Sequence, residues 1–333
     1  MKIFFRVDAS NKIGTGHVMR CLTLASKLPA AEFITTNSDG NLIDVIRQKG
    51  FKVHALETGK TNESYCFHSH WLENAWQDDA AKTAKIVDGA DLLVIDHYAI
   101  DKRWESVLRG KVKKIMVIDD LADREHDCDL LLDQNYFPNM NERYNGAYQK
   151  LIGPKYALLR DEFATAPKRD FAKVQNILVL FGGIDATNET GKVLDALKNK
   201  NYKVTAITGS FNLNNLESRF SCSKNIKLIE RADNVASLMK IADLCIGACG
   251  ATTWERAALA LPSIVWPIAE NQMNLVQALA SYGAVKLSSP EKLEHDLENI
   301  TQDELKNLSE KSHELCDGKG ATRVVESISS LIG

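Results

Sequence analysis

"KIFFRVDASNKIGTGHVMRCLTLASKL", residues 2–28, joins a short apolar run to a helical pattern through a turn holding two glycines. Residues 2–7 read as a strand, and Val18, Cys21, Leu22, Ala25 and Leu28 recur at helical spacing over 17–28. A strand that passes through such a turn into an amphipathic helix is the repeating unit of a parallel α/β sheet. The unit recurs downstream. "EFITT" (32–36), "KVHAL" (52–56), "DLLVIDHY" (91–98), "KIMVIDD" (114–120) and "DLLLDQN" (129–135) read as strands, with an amphipathic stretch at 41–49. Apolar runs of this kind predict strands buried on both faces.

Residues 151–170, "LIGPKYALLRDEFATAPKRD", interrupt the alternation with two prolines and a charge cluster. It restarts at "QNILVLFGG" (175–183) and continues through "YKVTAITG" (202–209), "IKLIE" (226–230), "ADLCIGACG" (242–250) and "PSIVWPI" (262–268). The pattern predicts two Rossmann-like, doubly wound α/β domains, 1–160 and 161–333, with the boundary near 160–172. The charged helical tail from 291 on is expected to pack on either half. Two such domains predict an interdomain cleft faced by the carboxyl ends of the strands, where open α/β sheets bind ligands. The loops 8–17, 181–191 and 247–255 follow strands and are expected there.

Bulk properties narrow the function. The 333 residues carry a net charge of −3, which leaves no electrostatic footprint for nucleic acid or an anionic membrane. No apolar run approaches the ~18 residues of a membrane span, and the polar residues soon after "MKIFF" argue against a secretory signal. The seven cysteines are scattered and form no C-x-x-C pair, as expected of a cytoplasmic protein with free thiols.

Three turns carry the chemistry. In the first, His17 and Arg20 lie three residues apart in the opening helical turn, and Gly14 and Gly16 let the backbone approach a ligand. His17 reads either as a polar capping residue or as a functional group. A cation is poorly placed at a helix N-terminus, and the dipole is expected to keep the imidazole neutral and able to accept a proton. A dinucleotide fingerprint would need glycine at Met19 and an acid ending the second strand; "FITTNSDG" offers Asp39 only in a loop. In the second turn Gly182 and Gly183 follow a strand, and Asp185, Thr187 and Asn188 supply an N-cap. The third, "GACGATTWERAALALPSI", runs from small residues into a helix capped by Thr252 or Thr253. There Glu255 either complements the dipole or accepts from a ribose diol. "AENQMN" opens a further helix with amides. "CFHSHW" would present Cys66, His68 and His70 on one side if it were a strand, but lacks a fourth zinc ligand. Asp119 and Asp120 end a strand as ligands or turn formers.

Taken together, "GTGHVMRCLTLA", "IDHYAID", "IDDLADREHDCDLLLDQNY", "YALLRDEF", "LVLFGGID" and "GATTWERAALALPSI" resemble the hydrolases of UDP-2,4-diacetamido-2,4,6-trideoxy-β-L-altropyranose in pseudaminic acid biosynthesis. The resemblance runs in order along nearly the whole chain. It implies a GT-B-like architecture, related to the N-acetylglucosaminyltransferase that makes lipid II. It also implies attack of water on the anomeric carbon, C–O cleavage with inversion and release of UDP, without metal or other cofactor. His17 would be the base that activates or orients water, and Tyr98 would line the sugar pocket. Gly182, Gly183, Asn188, Thr252 and Thr253 would hold the diphosphate, Glu255 the ribose, and Asn271 and Gln272 the sugar. Asp8, Arg20 and Arg160 would be supports. Diphosphate is already a good leaving group, so such a site must chiefly stabilise its charge and position one water. A GT-B glycosyltransferase and a non-catalytic nucleotide-sugar-binding protein would share most of these residues.

Overall fold

The computed structural model describes residues 1–60, 66–146, 148–182, 185–232, 234–250 and 252–333, the side chains of 210, 211 and 271 excepted. Gly183 therefore lies outside the described residues, as does the side chain of Asn271. Two compact units divide the chain. The first comprises 1–135, 139–158 and 320–333, and the second 136–138 and 159–319.

In the first unit β1 (Ile3–Val7), α1 (Gly16–Ala25), β2 (Ala31–Thr36), α2 (Ile43–Gln48), β3 (Lys52–Leu56), α3 (Trp76–Val87) and β4 (Ala90–Asp96) follow one another. They continue as α4 (Lys102–Leu108), β5 (Val112–Ile118), β6 (Leu130–Asp133) and β7 (Gln149–Ile152). The seven strands form one parallel sheet in the order β3-β2-β1-β4-β5-β6-β7, with Phe5 opposite both Phe33 and Val94. Strand alternation splits β1 between two cores. Ile3, Phe5 and Val7 pack with α1 on one face, and Phe4 packs with residues of α3 and α4 on the other. The edge strand β3 is only partly buried, because a neighbour covers one side of it alone.

The second unit runs β8 (Asn176–Leu180), α5 (Glu189–Leu197), β9 (Lys203–Thr208), α6 (Ser210–Phe220), β10 (Ile226–Glu230), α7 (Val235–Ile241) and β11 (Leu244–Gly247). After these come α8 (Thr252–Ala258), β12 (Ser263–Val265), α9 (Met273–Tyr282), β13 (Lys286–Leu287), α10 (Leu293–Asn299) and α11 (Gln302–Leu315). Its parallel sheet has the order β10-β9-β8-β11-β12-β13. Arg169 ties the segment entering this unit to it. Its guanidinium donates to the carbonyls of Met239, Ala242 and Leu259, which end α7 and α8. The last helix, α12 (Gly320–Ile332), belongs to the first unit, where Ala321, Val324 and Ile328 join the core beneath α1.

Several elements depart from the sequence reading. β7 and the two-residue β13 carry too little apolar pattern to be read. The run 91–98 leaves the sheet at Asp96, which puts His97 and Tyr98 in the following loop. Residues 66–71 form a turn and a 3₁₀ helix (Ser69–Trp71), so the strand geometry that aligned Cys66, His68 and His70 does not exist. No helix of the described residues is long and apolar enough to cross a membrane.

Candidate functional site

In an open parallel sheet the crevice lies where strand order reverses, and in the first unit that is between β1 and β4. The chain leaving β1 makes a tight turn. Ser10 Oγ accepts from the amides of Lys12 and Ile13, and Gly14 N donates to Ser10 O (2.8 Å). Gly14 holds φ +79°, a conformation that other residues rarely adopt. This turn starts α1 at Gly16, with no side-chain cap and no acid in its first turn. His17 is thereby carried to the carboxyl end of β4, where Asp96 is the last strand residue.

His17 Nδ1 lies 2.6 Å from Asp96 Oδ1. Arg20 clamps the same carboxylate in two places, Nε to Oδ2 (2.6 Å) and Nη2 to Oδ1 (2.7 Å), while its Nη1 donates to Asp120 Oδ2 (3.0 Å). The Tyr98 hydroxyl donates to the other Asp120 oxygen. Asp96 is 1% exposed, and burial alone would raise its pKa. Arg20 and then His17 outweigh burial and hold Asp96 well below the usual carboxylate range. An ionised Asp96 only accepts, so Nδ1 carries the proton and Nε2 carries the lone pair of the neutral ring. Arg20 Nη2, at 3.2 Å from Nδ1, is the weaker and longer contact. The tautomer is thus set by a carboxylate. Among the described residues Nε2 has no hydrogen-bond partner.

Aromatic rings flank the imidazole. Tyr98 stands edge-on to it (4.6 Å between centroids) and Trp71 does likewise (6.0 Å). Burial, with Asp120 beside it, pushes the Tyr98 phenol above its ordinary range, so its hydroxyl stays a donor. Gly16 has open space where a Cβ would stand.

Asp8 is no free binding group. Its oxygens accept from Arg6, Thr35 and Thr36, His97 Nε2 lies 3.3 Å away, and the side chain is 2% exposed. Asp119 is likewise internal, taking the Ala122 amide of its turn and pairing with Arg124 (2.9 Å). Cys66 Sγ faces the Tyr98 carbonyl, and His68 packs on Trp71 and Tyr98. Among the described residues no group of three or more His, Cys, Asp or Glu is arranged to hold a metal ion.

In the second unit the reversal lies between β8 and β11. Gly182 follows β8 with φ +96° and open space at its Cβ position. The start of α5 is less open than its sequence implies, because Asp185 accepts from the amides of Glu189 and Thr190 (2.8 Å each). Asn188, expected as part of the cap, adopts a left-handed conformation (φ 52°) and caps nothing with its side chain; its Oδ1 is buried without a partner. After β11, Gly247 is required by packing, since a Cβ there would meet Leu180 O at 2.1 Å. The buried Arg256 of α8 donates to Ala248 O (2.9 Å) and reaches Thr252 and Thr253 Oγ1 (3.4 Å each). Glu255 makes no hydrogen bond to a described residue. Burial pushes its carboxyl up to about 7, against the opposing pull of Arg160 and Arg256. Arg160 also pairs with Glu162 (2.8 Å). Gln272 Oε1 accepts from Ile268 N (3.2 Å), which leaves its amide NH₂.

The crystal structure of MurG from Acinetobacter baumannii matches 98% of this chain and 99% of its own, with TM-score 0.70 at 16% identity. Residues 177–328 match the Glycosyltransferase family 28 C-terminal domain. The chain has the GT-B fold. Among curated relatives, an uncharacterized protein of Methanocaldococcus jannaschii is 30% identical over 286 residues, 80% of this chain. The chain spans about half of that relative, 55% of its length. A Campylobacter jejuni protein named UDP-2,4-diacetamido-2,4,6-trideoxy-β-L-altropyranose hydrolase is 29% identical over 245 residues, 72% of this chain and 81% of that one.

Within this GT-B frame, His17, Arg20 and Tyr98 come together at one sheet end, and Glu255, Arg160, Thr252 and Thr253 belong to the other unit. Sequence reasoning missed Asp96 and Trp71, and took Asp120 as a ligand or turn former where it binds Arg20 and the Tyr98 hydroxyl. Asp96 was legible. It precedes His97 and Tyr98 in "IDHY", and the Rossmann strand order sets β4 beside β1, hence an acid ending β4 beside the turn after β1.

Proposed function

We propose that this chain hydrolyses a UDP-linked 2,4-diacetamido-2,4,6-trideoxy sugar, UDP-2,4-diacetamido-2,4,6-trideoxy-β-L-altropyranose, in pseudaminic acid biosynthesis. The observation that carries the reading is the buried Asp96 on His17 Nδ1, which leaves Nε2 as an acceptor beside an aromatic wall. A pure binding protein has no need of such a pair. Water gives its proton to Nε2 and its oxygen bonds to the anomeric carbon. The bond from that carbon to the phosphate oxygen breaks, and UDP leaves with the electron pair. Arg20 keeps Asp96 ionised, so the imidazolium formed in the step is stabilised where it appears. The nucleotide contacts are assigned to the second unit: Gly182 and Gly183, Asn188, Thr252 and Thr253 for diphosphate, Glu255 for ribose, with Asn271 and Gln272 for the sugar. Asp8 and Arg160 are left as supports of their own units. The Campylobacter relative's name supports the substrate.

The family 28 match supports a second reading, a glycosyltransferase in which the same base would deprotonate an acceptor hydroxyl. Incubation with the UDP-sugar in ¹⁸O-water separates the two. UDP release with label in the sugar alone is the hydrolase result, and no release without an added acceptor is the transferase result. His17→Ala should retain UDP binding and lose most turnover; full turnover in that variant removes His17 as the base.

A further inference from the structure

Trp71 ends the 3₁₀ helix Ser69–Trp71, and its ring lies on that of Tyr98, centroids 5.4 Å apart and planes 23° from parallel. His17 stands perpendicular to both rings. His68 abuts the indole at 4.6 Å, and burial lowers its pKa, so it contributes a neutral ring. The proton chemistry at His17 uses none of this surface, and the Tyr98 hydroxyl is already spent on Asp120.

The indole is only partly buried, and its Nε1–H has no hydrogen-bond partner among the described residues. Two other tryptophans behave differently. Trp104 Nε1 donates to Asp79 (3.0 Å) and Trp266 Nε1 to Glu189 (3.0 Å). An amphipathic ring with a free donor, held beside a base, is a recognition surface with one apolar and one polar demand. A hydroxyl group meets only the second. An N-acetyl group meets both, its methyl packing on the ring and its carbonyl accepting from Nε1.

We propose that Trp71 is a specificity-determining residue that recognises an acetamido group of the sugar, a role that rests on the nucleotide-sugar reading above. It acts on which sugar is held, not on the proton transfer, because among the described residues it makes no hydrogen bond to His17, Asp96 or Arg20.

The test compares the full-length wild type with Trp71→Phe, which keeps a ring and removes the donor, and with Trp71→Ala. Turnover is read on the diacetamido UDP-sugar and on its analogue carrying hydroxyls. The wild type should favour the acetamido sugar. That preference should fall about 10-fold in Trp71→Phe and on the order of 100-fold in Trp71→Ala, mainly through KM. UDP affinity and the pH profile should not move, which a general loss of structure would not allow. Preference unchanged in both variants overturns the role of Trp71 and leaves the hydrolase reading standing. If the wild type releases no UDP from either sugar, the hydrolase reading fails. Calorimetry with UDP-N-acetylglucosamine and UDP-glucose on wild type and Trp71→Phe still decides the point: equal wild-type affinity, or a preference that survives in Trp71→Phe, overturns it.

Discussion

Replacing Asp96 by Asn keeps the side chain's shape and removes its charge. Oδ1 of Asp96 now accepts from His17 Nδ1 and Arg20 Nη2, and Oδ2 from Arg20 Nε and Cys21 Sγ (3.5 Å). An amide has one acceptor end. If it faces His17, the NH₂ points at Arg20 Nε across 2.6 Å, donor against donor. If the amide flips, the NH₂ faces His17 Nδ1, which must become the acceptor, and Nε2 then holds the proton that it should receive. Either outcome disables the base or strains the clamp. By analogy with triads whose acid is converted to amide, turnover should drop roughly 10³–10⁴-fold, or about 4–5.5 kcal/mol of barrier. Breaking a buried ion pair costs about 3–5 kcal/mol of stability. Arg20 keeps Asp120, so the lower figure is expected. Steady-state UDP release gives the first number, urea unfolding the second, and calorimetry with UDP should show no change. A folded Asp96→Asn protein turning over within about 10-fold of wild type would refute the reasoning.

Three further predictions address other residues. His126 is buried: burial alone would lower its pKa, but Asp119 and Glu105 outweigh that and carry it to about 9. Its ring binds a proton more tightly in the folded state than in the unfolded one. The stability it contributes is therefore present below pH about 6.5 and lost as pH rises through about 9, and His126→Gln should flatten the urea midpoint over that range. Glu255, raised to about 7 by burial, follows the same sign: its ionisation should cost stability as pH rises from about 4.5 through 7, and Glu255→Gln should remove that slope in thermal melts. Gly247→Ala should destabilise by more than ~3 kcal/mol in denaturant titration, since its methyl meets a backbone carbonyl within the sheet and cannot push it aside.

Most of the architecture could be read because buried parallel strands are apolar throughout and the helices between them keep one greasy face. The strands that escaped, β7 and β13, are four and two residues long, and "QKLI" and "KL" hold no periodicity to detect. Site residues divided differently. His17 and Arg20 sit three apart on one helix, so local spacing joined them. Asp96 is 79 residues from His17, and Trp71 reaches Tyr98 from a turn that reads equally well as a strand. Contacts of that kind exist only once strand order is known. Asp8 shows the converse, an acid placed among binding residues whose oxygens the fold itself consumes.

The return of α12 to the first unit also governs when that unit can be finished. α1, the helix that holds His17, rests against α12, whose Val324 and Ile328 are wholly inside the same core. On a ribosome, residues 1–158 emerge with that flank bare, and the whole second unit is translated before the covering helix exists. At ~5–20 residues per second the wait is roughly 8–32 s. During it the apolar side of α1 stays open to chaperones, and the His17–Asp96 pair has no closed scaffold behind it. The second unit, contiguous from 159 to 319 apart from three residues, has no such delay. Synthesis order therefore completes the second unit first and the histidine-bearing unit last.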